Sequence, residues 1–139
     1  MYQKSDIQIL IATMNRTSFD FLKAMFLFSD FSNFNLLVIN QTTSDKLLQS
    51  NFENVEVINS FDKGLSKSRN LALQMASKDL VILTDDDVVF QSSFEDLVLQ
   101  AFNSNLNHDG FRFQYENENG IFPKNIQNDF YQNFQILKY

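Results

Sequence analysis

Leu80-Val81-Ile82-Leu83-Thr84-Asp85-Asp86-Asp87 passes from four aliphatic residues directly into three consecutive carboxylates. A short run that is apolar on both of its alternating faces reads as a buried strand, and such strands usually lie in the middle of parallel sheets. The run is therefore expected to be a central strand carrying an acidic triplet at its carboxyl end. Three earlier runs end in the same way. Ile7 to Ala12 breaks into Thr13-Met14-Asn15-Arg16-Thr17, and Leu36 to Ile39 breaks into Asn40-Gln41-Thr42-Thr43-Ser44-Asp45. Val55-Glu56-Val57-Ile58 alternates, as a strand with one less buried face does.

Between the strands the apolar spacing becomes helical. Phe19 to Phe31 reads as an amphipathic helix, interrupted by Asp20, Lys23 and Asp30 and well short of the roughly 20 residues a membrane span needs. Leu65 to Ser77 follows Gly64 and places Ser68, Leu71, Ala72 and Met75 on one helical face. Ser92-Ser93-Phe94-Glu95 has capping-box spacing, after which Phe94, Leu97, Val98, Ala101 and Phe102 recur at helical intervals. Phe111, Phe113 and Tyr115 alternate with Arg112 and Gln114 as a further strand. The order βαβαβαβαβ implies a three-layer α/β domain, a mostly parallel sheet with helices on both faces. Its first, second and fourth strands are expected to be adjacent.

Composition narrows the function. The chain has 139 residues and is 44% hydrophobic, which suits one domain with a real core. Its net charge of −6 argues against a nucleic-acid partner, because phosphate backbones are bound by an excess of Lys and Arg. Cysteine is absent, so neither a disulfide nor a thiolate zinc site is available and a reducing cytoplasm is the expected compartment. The N-terminal residues lack a signal-peptide pattern. Any membrane contact is expected at the periphery, through a partner or a further segment. Only Gly64, Gly110 and Gly120 occur, too widely spaced for a P-loop or a dinucleotide fingerprint.

In an open parallel sheet, ligands bind beyond the carboxyl ends of the strands, where loops diverge and helix N-termini present free N–H groups. Thr13, Asn15 and Arg16 fall there after the first strand, Asn40 and Gln41 after the second, and Asp85-Asp86-Asp87 after the fourth. Three adjacent carboxylates repel one another, so the triplet invites a hard divalent cation. If the segment stays extended, Asp85 and Asp87 project to one side and Asp86 to the other. Mg²⁺ or Mn²⁺ takes one or two carboxylates and fills its other positions with water and substrate phosphates, so the triplet suggests a diphosphate substrate. Lys63, Lys67 and Arg69 gather around the start of the helix that follows Gly64 as a local anion site. A solvated acidic turn and solvent-exposed lysines are the bland alternatives.

Together these segments resemble the family-2 glycosyltransferases of the GT-A fold. Ile9-Leu10-Ile11-Ala12-Thr13-Met14-Asn15-Arg16 is similar to that family's opening strand and turn. Gly64-Leu65-Ser66-Lys67-Ser68-Arg69-Asn70-Leu71-Ala72 is similar to its Gly-Leu-Ser-x-x-Arg-Asn helix, and Asp85-Asp86-Asp87 falls at its Asp-x-Asp position. The resemblance implies a Mn²⁺- or Mg²⁺-dependent, inverting transfer of sugar from a nucleoside-diphosphate donor, UDP-sugar first, to a glycan or lipid-linked acceptor hydroxyl in glycan or polysaccharide biosynthesis. It implies a nucleotide-sugar site of Thr13, Asn15, Arg16, Asn40, Lys67, Arg69, Asp85 and Asp86, with Asp87 and Asp85 at the metal. Asn40 stands where the family carries an aspartate that accepts a hydrogen bond from uracil.

Residues 1–115 are expected to be the nucleotide-sugar-binding domain, and residues 116–139 the start of a truncated acceptor-binding half. Nothing after Tyr115 matches the family's general base, so none is assigned and slow transfer by this chain is expected. The apolar residues Phe130, Tyr131, Phe134, Ile136 and Leu137 are expected to drive dimerisation or aggregation. Two other functions fit less of the sequence. One is a non-catalytic nucleotide-sugar-binding module. The other is a sugar nucleotidyltransferase, which would need a Gly-rich loop where Met14-Asn15-Arg16 stands.

Overall fold

A computed structural model describes residues 1–122 and 135–138 of the chain. The first strand, β1 (Ile7–Met14), has seven successive buried residues, because it is covered on both faces. It pairs in parallel with β2 (Asn35–Gln41) on one side and with β4 (Leu80–Asp85) on the other, while β3 (Val55–Ser60) pairs in parallel with β2. The sheet order is β3-β2-β1-β4. The first, second and fourth strands are adjacent and parallel, as expected.

Alternation along the strands builds two cores. Ile9, Ile11, Leu36, Val38, Leu80 and Ile82 face one way, onto α1 (Asp20–Met25) and α3 (Phe94–Ser104) through Leu22, Met25, Phe94 and Val98. Leu10, Leu37 and Ile39 face the other way, onto Ala72 of α2 (Leu65–Met75). Helices therefore cover both faces, and the three layers follow from the period-two pattern. On the α1 side, phenylalanine fills the space beneath the helices. Phe90 is fully buried and stacks on Phe94 with ring centroids 4.3 Å apart, and Phe26 packs on both.

Several expectations are corrected. Among the described residues β4 is an edge of the parallel sheet and not a central strand. Only Leu80, Ile82 and Thr84 on one face of it are buried, and Leu83 is 39% exposed. An aliphatic run cannot by itself distinguish a strand paired on both edges from one paired on a single edge. No α-helix connects β2 to β3. That crossover is a loop anchored by buried Leu48, whose N–H and C=O both bond the Asn59 carboxamide.

The helix expected over Phe19 to Phe31 shortens to α1, after which Phe31–Asn33 forms one tight turn. Met75 of α2 is exposed. The capping box expected of Ser92 and Glu95 does not form, because the helix N-cap is the next residue, Ser93, in a left-handed backbone (φ 59) with no side-chain cap hydrogen bond, while Glu95 instead accepts from Lys4. The strand expected from Phe111 begins only at Gln114.

A second sheet follows the first. It has β5 (Val88–Val89), β6 (Gln114–Asn117), β7 (Gly120–Phe122) and β8 (Gln135–Lys138) in the order β5-β8-β6-β7. The backbone of β8 pairs antiparallel with β5, immediately after the acidic triplet. Phe130, Tyr131 and Phe134 lie outside the described residues. No helix among the described residues is long and apolar enough to cross a membrane.

Candidate functional site

The carboxyl ends of β1, β2 and β4 lie side by side, with Thr13 beside Asn40 and Ala12 beside Asp85 in the strand register. β4 stops at Asp85, and the chain turns at Asp86 and Asp87 before β5. The triplet therefore does not stay extended. Asp85 continues the face of Val81, which packs on the α2 side of the sheet. There Arg69 Nη2 donates to both carboxylate oxygens of Asp85, at 2.8 and 3.0 Å. Arg69 Nε is buried with no hydrogen-bond partner among the described residues.

Asp86 is held from the other face. Its Oδ2 accepts from Thr13 Oγ1 at 2.5 Å and from Arg16 Nε and Nη2 at 2.9 and 2.5 Å. Arg16 Nε also donates to Thr13 Oγ1, and the guanidinium lies 5.2 Å from the Phe21 ring centroid. Charge, hydrogen bond and ring face together fix a side chain that would otherwise be free at the surface. Asn15 supplies the turn that brings Arg16 back. Its φ of 54 is left-handed, a conformation asparagine tolerates, and its N–H donates to Gln41 O.

Asn40 and Gln41 lie behind the two arginines. Asn40 is fully buried. Its Oδ1 accepts from Arg16 N, and its Nδ2 donates to Arg16 O and to Asn59 Oδ1, all at 3.0 Å. It offers no exposed surface to a base in this structure. Gln41 Nε2 donates to Gly64 O at 2.6 Å, and Gly64 N donates back to Gln41 Oε1 at 3.3 Å. Gly64 is the residue that precedes α2, at φ 126, a backbone that strains any side chain.

The structure thus brings Thr13, Arg16, Arg69, Asp85 and Asp86 together, with Asp87 exposed next to them. It does not bring Lys67, whose ammonium is 3.6 Å from Asp62 in an exposed pair. Asn59 is the participant that the sequence does not announce, while Gln41 and Gly64 fall within segments that it marks but without the backbone-holding part they take here.

Two hollows flank the triplet. One, of about 520 Å³, runs along β4 from Asp79 to Asp85 with Arg69 in its wall and the 109–113 segment opposite. The other, of about 350 Å³, is lined by Asp86, Asp87, Val88 and the end of α1. Both fall within the size range of small-molecule sites.

Among the described residues no three His, Cys, Asp or Glu side chains converge as a ready metal cage. Asp85 and Asp86 each face a guanidinium group. That fits a cation of the Mg²⁺ or Mn²⁺ kind, which takes few carboxylates and completes its shell with water and phosphate oxygens. Counting only the triplet, Arg16 and Arg69, the five charged groups carry one net negative charge.

The family model of glycosyl transferase family 2 matches residues 8–138. The crystal structure of S. aureus TarS 1-349 is similar in fold at a TM-score of 0.51 and 17% identity, over 76% of this chain and 38% of that one. A second structure of S. aureus TarS gives 0.49 and 17% identity, over 80% of this chain and 21% of that one. The chain thus spans well under half the length of either structure. No curated protein matches it.

Proposed function

The chain belongs to glycosyl transferase family 2, and on that premise we propose that its aspartate triplet binds a nucleoside-diphosphate sugar and a divalent cation for transfer of the sugar to an acceptor hydroxyl. The observation that carries the proposal is the arrangement at the carboxyl end of β4. Asp85 and Asp86 are held by two different arginines, Arg69 from α2 and Arg16 from the turn after β1, and Asp87 lies exposed beside them. A fold gains little from crowding three carboxylates unless the site serves a polar ligand.

In this reading Asp87, with Asp85 as second ligand, holds Mn²⁺ or Mg²⁺. The cation, when bound, neutralises the negative charge that develops on the diphosphate leaving group. Arg69 and Arg16 place their remaining N–H donors toward phosphate oxygens, as guanidinium groups do for planar anions. Thr13 and Asn15 line the nucleotide side. Lys67, on the exposed turn of α2, adds long-range attraction for an anion and no fixed contact. The acceptor is a glycan or lipid-linked hydroxyl that displaces the nucleoside diphosphate with inversion. No side chain is assigned as the base that takes its proton.

The test is turnover. The protein is incubated with Mn²⁺ and a panel of UDP-, GDP- and dTDP-sugars, with and without sugar acceptors, and nucleoside diphosphate release is followed. Release accelerated by an acceptor supports the transferase. Binding of a donor with no release under any condition would make the chain a non-catalytic donor-binding module.

A further inference from the structure

We propose that the dipeptide Asn40-Gln41 at the end of β2 is a positioning element: each amide fastens the backbone of one loop, and so aims Arg16 and Arg69 at the aspartate triplet from opposite faces of the sheet, while neither amide reads the nucleotide base. The inference rests on the reading of the triplet as a nucleoside-diphosphate site and assigns a role to two residues behind it.

Strand alternation carries the first step. Along β2, Leu36 and Val38 face α1 and α3, while Leu37 and Ile39 face α2. Asn40 therefore turns toward the α1 side and Gln41 toward the α2 side. On the α1 side the register sets Thr13, Asn40 and Asn59 in one row across three strands. Asn40 grips Arg16 by both its N–H and its C=O, and Arg16 in turn grips Asp86. On the α2 side Gln41 grips Gly64 by both its N–H and its C=O. Gly64 starts α2, which carries Arg69 to Asp85. Two chains of contacts thus leave two adjacent residues and converge on two adjacent aspartates.

Satisfaction of the amides carries the second step. Asn40 is 0% exposed and Gln41 is 5% exposed. Both Asn40 Nδ2 protons are committed, one to Arg16 O and one to Asn59 Oδ1. Each amide meets a peptide group as donor and acceptor together, which an ionised carboxylate, an acceptor only, cannot do. An aspartate at position 40 or a glutamate at position 41 would set a carboxylate oxygen against a backbone carbonyl. This accounts for an amide at a position where a carboxylate would serve a base-reading role.

The two roles give opposite results for Asn40→Asp. As a positioning residue, its loss weakens binding of UDP, GDP and ADP alike, each with Mn²⁺, by about tenfold, the scale of one buried hydrogen bond. A base reader would gain from the carboxylate, and UDP alone would bind more tightly. That result overturns the proposal. In an Arg16→Ala background, Asn40→Asp is expected to cost less than about twofold more, because Asn40 acts through Arg16. Fully additive losses overturn it. Gln41→Glu reads the other face independently should the first variant not fold, and its loss is expected to vanish in an Arg69→Ala background.

A measurement without nucleotide separates this inference from the function it rests on. Asn40→Ala is expected to speed amide hydrogen exchange at Arg16, and Gln41→Ala at Gly64, each by about tenfold or more. If the chain binds none of the three nucleotides, the proposed function fails while the exchange data still decide the positioning role. Unchanged exchange at both amides overturns it.

Discussion

Asp85 and Asp86 are neighbours in sequence, yet they are held by different arginines, Asp85 by Arg69 from α2 and Asp86 by Arg16 from the turn after β1. The triplet is thereby braced from both sides of the sheet, and the bracing groups are themselves the donors a diphosphate would use. Arg69→Ala is expected to weaken nucleoside diphosphate binding by about 1.5–3 kcal/mol, the worth of charge-assisted hydrogen bonds. Titration calorimetry with UDP and Mn²⁺ measures it. A change below about 0.5 kcal/mol would mark Arg69 as a purely structural partner of Asp85.

Arg16→Ala separates site from scaffold. The Arg16–Asp86 pair is partly exposed, with side chains 43% and 21% accessible, and such pairs contribute only about 0–1 kcal/mol to folding. The melting temperature is expected to move by no more than a few degrees while nucleotide affinity falls at least tenfold. A large drop in stability with unchanged affinity would reverse that assignment.

Asp87 is exposed and follows two carboxylates that already face guanidinium groups. Asp87→Ala is expected to abolish the gain in nucleotide affinity that Mn²⁺ brings, with the circular dichroism spectrum unchanged. Retained metal dependence in a folded Asp87→Ala protein would place the cation elsewhere.

Much of this was legible in the sequence because strand alternation and helical spacing are strong signals. The aliphatic runs of β1, β2 and β4 mark their strands, and the polar residues after them mark the end where the two arginine–aspartate pairs form. What escaped is decided by tertiary context. Nothing in Leu80 to Leu83 says that, among the described residues, β4 has a strand on only one edge. Ser92 stands at capping-box spacing from Glu95, yet the N-cap is Ser93, in a left-handed backbone with no side-chain cap hydrogen bond. Asn59 looks like an ordinary strand residue, and the position of Gln41 at a strand end does not reveal its task, since what makes both matter is a backbone or amide group brought close from elsewhere in the chain. Lys67 shares a motif with Arg69, yet on the helix only Arg69 turns toward β4.

The aromatic core gives a stability prediction independent of function. Phe90 is fully buried between Phe26 and Phe94, and its N–H donates to Met25 O at 2.8 Å. Phe90→Ala is expected to cost about 3–5 kcal/mol, because the surrounding rings cannot close the cavity. Urea unfolding followed by circular dichroism checks it, and a loss under about 1 kcal/mol would mean that this part of the core repacks freely.

The central claim is that the triplet binds a nucleoside diphosphate together with a divalent cation. Its most direct test is calorimetric titration of the unmodified protein with UDP-sugar and with UDP, in Mn²⁺ and again in EDTA. Saturable binding in Mn²⁺ that weakens at least tenfold in EDTA is the expected result. Equal affinity in the two conditions would contradict the metal assignment, and no binding of any nucleoside diphosphate in either would contradict the account as a whole.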